Sequence, residues 1–229
     1  GWPFIYWISD GFREKFREKA LAEFCDIVQG LATANNERFI RFWWEIKEEF
    51  ISKKIEDKKK WKKYSKGGPF QKWYGNNWCI VDWENDGFEI KNYKDDNGRL
   101  KSRPQNENFY FKEGITYTSS GSKGASFRLH PKNFIFDVAG SCIFPKNNES
   151  IFSILSMLNS KLNYYILNCL NPTVSTQVGD IKRIPYIEPK NEFEIKLSSL
   201  AKQNVEIKKH LCTYSLIEIN FEHSPLTAF

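Results

Sequence analysis

The sequence predicts an α+β domain, with mainly antiparallel strands between about Asp26 and Phe144 and amphipathic helices flanking and following them. Three observations carry that prediction. Short alternating runs such as Trp78-Cys79-Ile80-Val81-Asp82-Trp83 are bounded by the turn sequences Asp86-Gly87 and Asn97-Gly98. Residues 151–170 place apolar side chains at 151, 154, 155, 158, 162, 165, 166 and 169, the spacing of one helix face. Hydrophobic residues make up 41% and aromatics 16% of 229 residues, enough to bury a real core despite 27% charged residues.

Taken in order, Ser9 is placed to cap a helix over 12–24, where Phe12, Phe16, Ala20 and Phe24 recur every four residues. Asp26-Ile27-Val28-Gln29 reads as a strand broken by Gly30, and Thr33 or Asn35 caps a helix running through Phe50, with Arg38, Arg41 and Trp44 on neighbouring faces. The lysine-dominated stretch 51–66 reads as a solvated helix end or mobile loop, its functional alternative being a phosphate-contacting arm. Strands are expected within 77–83 and 88–93, joined by the turn 84–87, and a second turn at 95–98 leads into the polar surface run 99–105. Further strands are expected at 109–111, 115–118, 125–129 and 134–138, the last running toward Cys142-Ile143-Phe144, with a small flexible loop at 119–124. That loop does not match GxxxxGK[ST], so its likeness to a phosphate cradle is superficial. Helix 151–170 stops at Asn171-Pro172, residues 180–187 read as an extended segment fixed by Pro185, and a final amphipathic helix covers 192–214. Four segments follow: a helical and strand lead-in at 1–50, a lysine-rich insertion at 51–66, a β-rich core at 67–146 and a helical region at 147–229.

The balance of charge is mildly basic, with a net charge of +6 and a pI near 8.9, which raises the local concentration of a polyanion. Five scattered cysteines without a CxxC pair read as free thiols of a reducing cytoplasm, and three distant histidines give no metal spacing. No GxSxG elbow is present, which speaks against a serine hydrolase. The polar load of 151–170 argues against a membrane span, and the start Gly-Trp-Pro-Phe without Met reads as a piece cut from a longer protein. Within 66–106, Phe70, Trp73, Tyr74, Trp78 and Trp83 are interleaved with cations and amides. Such a surface can stack on bases, grip phosphates and hydrogen-bond base edges, although aromatics mostly serve packing.

Several segments together resemble the PglX family, the adenine-specific DNA methyltransferases of BREX phage-defence systems, relatives of type IIG restriction-modification enzymes. They are residues 30–39, Lys72-Trp73-Tyr74-Gly75-Asn76, residues 81–87, Ser102-Arg103-Pro104-Gln105-Asn106, residues 110–116, 134–140 and 158–161, and Val178-Gly179-Asp180-Ile181. The family's Gly-rich cofactor loop and Asn-Pro-Pro-Tyr tetrad do not occur, Asn171-Pro172-Thr173 being the nearest approach. The resemblance therefore implies a target-recognition region, similar to those of type I specificity subunits, that binds double-stranded DNA. S-adenosylmethionine and methyl transfer belong to the methylase domain of the parent protein. By that reading Lys72, Trp73, Tyr74, Asn76, Arg99, Lys101, Arg103, Gln105, Lys123 and Arg128 face the DNA, the arginines toward guanine edges or phosphates and Asn76 or Gln105 toward adenine. Implied partners are the methylase domain of the same chain and other phage-defence subunits, with no membrane. Two other readings stand beside it. One is a protein-docking module built on 151–170 and 192–214. The other is a magnesium-dependent nuclease using Asp82, Glu84, Asp86, Glu89 and Lys91.

Overall fold

Eight short strands, divided between two four-stranded sheets, carry the chain in a computed structural model that describes residues 8–146, 150–224 and 226. The strands are β1 (Cys25–Val28), β2 (Ile40–Phe42), β3 (Trp61–Ser65), β4 (Cys79–Asp82), β5 (Gly114–Tyr117), β6 (Phe127–His130), β7 (Phe134–Phe136) and β8 (Cys142–Pro145). The first sheet runs β1-β8-β5-β6 and is antiparallel throughout. The second runs β2-β4-β3-β7, antiparallel except for the β3–β7 pair.

The first sheet is covered on both faces, and the two-residue period of its strands shows how. Ile143, Ile115, Tyr117, Phe127 and Leu129 point to a core shared with the helices, whereas Cys142 and Phe144 point the other way. There they meet Tyr64, Val81, Ile135 and Phe136 of the second sheet. The helices are α1 (Asp10–Glu14), α2 (Leu21–Phe24), α3 (Asn36–Phe39), α4 (Glu84–Lys91), α5 (Ile151–Leu158), α6 (Lys161–Leu170), α7 (Val178–Lys182) and α8 (Asn191–Cys212). α5 buries Ile154, Leu155 and Leu158 on the sheet, and α8 lies along α5 through Ala201 and Val205. Ser150 and Ser198 hydroxyls meet at 2.9 Å, and Ser156 donates to the Leu197 carbonyl at 3.0 Å.

Several expected elements differ, each for a local reason. The helix over 12–24 breaks because Lys19 and Ala20 are drawn into extended pairing with 184–186: Tyr186 N donates to Lys19 O and Leu21 N to Ile184 O. The same pairing leaves only Ile184–Tyr186 extended within 180–187, while 178–182 is helical. Asn35 caps a helix as expected, but α3 ends at Phe39, since Ile40, Arg41 and Phe42 pair with Val81, Ile80 and Cys79. β-branched and aromatic residues gain more on a pleated surface than on an isolated helix. Residues 61–65, expected to be solvated, form the inner strand β3, with Trp61 and Tyr64 buried. Lys62 goes in with them because its ammonium finds Ser52 Oγ at 3.0 Å and the Ile55 and Asp57 carbonyls; burial pulls its pKa down.

The turn at 84–87 is present, with Asn85, Asp86 and Gly87 all at positive φ, but it opens into helix through Lys91 rather than a returning strand. In place of a strand at 109–111, residues 107–109 make a 3-10 turn and Phe111, at φ 66°, donates to Phe134 O and accepts from Asn133 N. Helix 151–170 is split at Asn159-Ser160, where the Ser160 hydroxyl caps α6 by accepting from Asn163 N. The strands at 25–28, 79–82, 114–117, 127–130, 134–136 and 142–145, the turn at 95–98 and the long final helix stand as expected.

Candidate nucleic-acid interface

The predicted site residues fall into two groups that the fold attaches to different elements. The first is the 94–106 loop. Asp95 folds its tip by accepting from the Asn97 and Arg99 amides, and Lys94 and Leu100 pair across it. Lys101 N then donates to Tyr93 O, and Arg103 exchanges both backbone hydrogen bonds with Ala32. This leaves Arg99, Lys101 and Arg103 exposed on one edge, and among the described residues none of the three meets a carboxylate. Lys101 Nζ and the Arg38 guanidinium both sit 5.3 Å from the Tyr93 ring centroid. The hydrogen bond from Asn35 Nδ2 to the Tyr93 hydroxyl, helped by Lys101 and Arg38, holds that phenol below its ordinary pKa. Gln105 is half-buried and turns its amide back to the Gly30 carbonyl, so it braces the loop instead of offering a base contact.

The second group packs on β6. Trp73, at φ 75°, donates from its amide to Phe127 O and accepts from Leu129 N, which extends the sheet by one residue. Lys72 is half-buried, its ammonium 2.8 Å from the Asn159 carbonyl. Three residues assigned to the DNA face are in the interior. Tyr74 is buried, its hydroxyl accepting from Asn220, and desolvation pushes its pKa up to about 12. Asn76 is buried at φ 63°, its side chain donating to Pro69 O. Its amide and that of Asn77 both donate to the buried Glu218 carboxylate, at 2.7 and 2.9 Å. Arg128 is 1% exposed, because the face of β6 opposite Phe127 and Leu129 looks onto the second sheet and not onto solvent. Lys123 is exposed, on the 119–124 loop. Of the tryptophans in the aromatic stretch, Trp83 is buried in the core between the sheets.

One surface feature escaped the sequence reading. Phe42 and Trp44 stack face to face, centroids 4.7 Å apart and planes at 5°, and both are exposed. Phe42 edges a cleft of about 580 Å³ lined also by Ile40, Arg41, Lys66 and Trp78. The strand ends at Phe42 and residues 43–45 turn as a 3-10 helix, so no single periodicity in the sequence announces the stack.

The acidic residues of the nuclease reading are each engaged elsewhere. Asp82 and Glu84 share Lys60 at 3.0 and 3.3 Å, Asp86 pairs with Lys91 at 2.8 Å, and Glu89 pairs with Arg38 at 2.8 Å. Among the described residues, no three metal-ligating side chains converge. A methylase pocket fits no better. Asn171 spends its amide on Ser175 O and Asp180 and its carbonyl on Thr173, leaving nothing to hold an adenine amino group. All five cysteines are buried free thiols, and no helix of the described residues is long and apolar enough to cross a membrane.

No protein-family model matches the chain. Over 227 residues, 98% of this chain, it is 34% identical to the adenine-specific methyltransferase BrxX of Escherichia coli O9:H4 (strain HS). Over 206 residues, 86% of the chain, it is 32% identical to the adenine-specific methyltransferase PglX of Lacticaseibacillus casei (strain Zhang). The chain spans only 18% and 17% of the length of these relatives. The resemblance drawn from the sequence segments is therefore upheld, for a region rather than for a whole enzyme.

Proposed function

We propose, with kinship to the PglX-type adenine-specific methyltransferases as the premise, that this chain is a target-recognition region that binds double-stranded DNA for an adenine-N6 methylase elsewhere in its parent protein. One observation carries the reading: the exposed edge Arg99, Lys101 and Arg103 presents three cations that meet no carboxylate among the described residues, beside the Tyr93 ring, while the neighbouring Arg38 is paired with Glu89. Arg is the side chain that grips phosphate and guanine by two parallel hydrogen bonds, and a ring held between cations gives a flat contact at low entropy cost. In this reading S-adenosylmethionine belongs to the methylase domain, and the chain alone transfers no methyl group.

Duplex binding by the chain is expected to weaken steeply with salt. Replacing Arg99, Lys101 and Arg103 together by alanine should lower the slope of log affinity against log salt by nearly three, at roughly 0.9 per phosphate contact. Fluorescence anisotropy on a labelled duplex measures this. An unchanged slope removes the edge from the interface, and absence of duplex binding at any ionic strength overturns the reading. The unfolding midpoint should stay put, because all three side chains are exposed.

A second feature supports docking onto the rest of the parent protein. On α8, Phe193, Leu197, Leu200, Asn204, Ile207 and Leu211 recur at alternating four- and three-residue spacing. Phe193, Leu200, Ile207 and Leu211 are between 48% and 64% exposed, on a stripe beside the Ala201 and Val205 face that meets α5. Substituting Leu200 and Ile207 by serine should leave duplex binding by this chain unchanged and reduce adenine methylation by the full-length parent. Unchanged methylation would rule the stripe out as a docking face.

A further inference from the structure

We propose that the cleft between residues 67–70 and the 118–124 loop is a binding site for a phosphate group. The cleft, of about 270 Å³, is lined by Gly68, Thr118, Ser120, Ser122, Lys123 and Ser126 among others. The loop is held in place: Gly121 N donates to Val174 O, Thr176 N to Ser119 O, and Gly124 N to Gly121 O, with Gly124 at φ 80°. A side chain at Gly124 would meet the Tyr164 ring at 2.6 Å, and one at Gly68 the Asn76 amide at 2.8 Å, so close backbone approach shapes both walls. Among the described residues the amides of Ser122 and Lys123 have no partner, which leaves two donors beside four hydroxyls and an ammonium.

The second observation lies behind the wall. Arg128 is 1% exposed, and its one hydrogen bond runs from Nη1 to Thr118 Oγ1, a residue that lines the cleft, at 3.2 Å. Its Nε has no partner, and it makes no ion pair. Cys142 and Glu218 favour its charged form from a distance, but Glu218 makes no ion pair with it, its two oxygens accepting from the Asn76 and Asn77 amides. A guanidinium taken out of water without a counter-ion is costly, and burial has already pulled its pKa down to about 10. An anion seated on Thr118 would supply the missing charge. A tetrahedral group with several oxygens suits a donor set of hydroxyls, two amides and the Lys123 ammonium, with Arg128 behind Thr118, better than a planar carboxylate does.

The site rests on this geometry alone. That the phosphate comes from a DNA backbone, not from free phosphate, rests on the function proposed above. The test titrates inorganic phosphate into the full chain at constant ionic strength and follows the unfolding midpoint, with chloride as the reference. Phosphate should raise the midpoint more than chloride does, and Lys123→Ala with Ser122→Ala should weaken phosphate binding by about tenfold, the worth of one charge-assisted hydrogen bond. Arg128→Lys keeps the charge with fewer donors and should weaken it in the same direction. The exposed loop variants serve the test even if the core variant unfolds. No difference between phosphate and chloride overturns the proposal, as does an unchanged affinity in the loop variants. If phosphate binds and competes with duplex, the DNA backbone is its source. If it binds without competing, the site stands and takes a free anion. If duplex binds while phosphate has no effect, the site fails and the recognition reading survives.

Discussion

Replacing Gly30 by alanine is expected to remove most of the stability of the fold. A Cβ at this position would lie 1.9 Å from the Phe136 carbonyl oxygen and 2.6 Å from the Phe136 ring. The same carbonyl accepts from Leu31 N at 2.8 Å, and Leu31 pairs with Asp137, so neither strand can retreat without giving up the join between 30–31 and β7. Backbone against backbone has no rotamer to change. The cost exceeds about 4 kcal/mol, the range reserved for the severest substitutions, against a total stability of roughly 5–15 kcal/mol. The informative control is Gly179→Ala. There nothing lies within 4 Å and the residue sits in α7, so alanine should stabilise by up to about 1 kcal/mol through helix propensity. Urea unfolding followed by circular dichroism reads both. A Gly30→Ala chain with a wild-type midpoint would show that 30–31 does not pack on β7 as described.

Acid is expected to unfold the protein through His130. The ring is fully buried, edge-on to Phe134, Phe136 and Phe144, with Nδ1 3.0 Å from the Ser65 hydroxyl and Nε2 without a partner. Desolvation pulls its pKa down to about 3, and the nearby Arg128 adds to the effect. The unfolded chain takes up a proton at this ring near its ordinary pKa of about 6.5, so between there and 3 the unfolded state holds the extra proton. Stability contributed by the neutral ring is complete above that window and is lost as pH falls through it, by up to about 1.4 kcal/mol per pH unit and roughly 5 kcal/mol in all. His130→Phe should lower stability at neutral pH, since Ser65 loses its partner, yet flatten the decline between pH 6 and 4. Parallel pH profiles for the two proteins would show that the ring is not held neutral.

What could be read in the chain follows physical lines. Strands such as β4 and β5 announced themselves because local alternation and turn residues agree with the final pairing, and α8 because its apolar faces recur over 22 residues. β3 did not, because a lysine in the interior is decided by how the preceding loop folds back on it: Ser52 Oγ and the Ile55 and Asp57 carbonyls, which no periodicity reports. The stretch from Phe39 to Phe50 misled for a similar reason, since pairing with β4 outweighs helix propensity. In the candidate interface, Arg99, Lys101, Arg103 and Lys123 lie on turns rich in Gly, Asp and Ser, where exposure is built into the local sequence. Arg128 alternates with Phe127 and Leu129 like any outward residue of a half-covered strand. That a second sheet covers the other face becomes visible only once β3 and β7 have been found to pair in parallel.

The partnership of β1 with β8 has a consequence during synthesis. Cys25 faces Pro145 and Val28 faces Cys142, so β1 leaves the ribosome more than a hundred residues ahead of the strand that completes it. Until Pro145 clears the exit tunnel, β1 waits as an open edge available to any neighbouring nascent chain. A chain truncated before Cys142 therefore keeps β1 as an unpaired edge of that sheet.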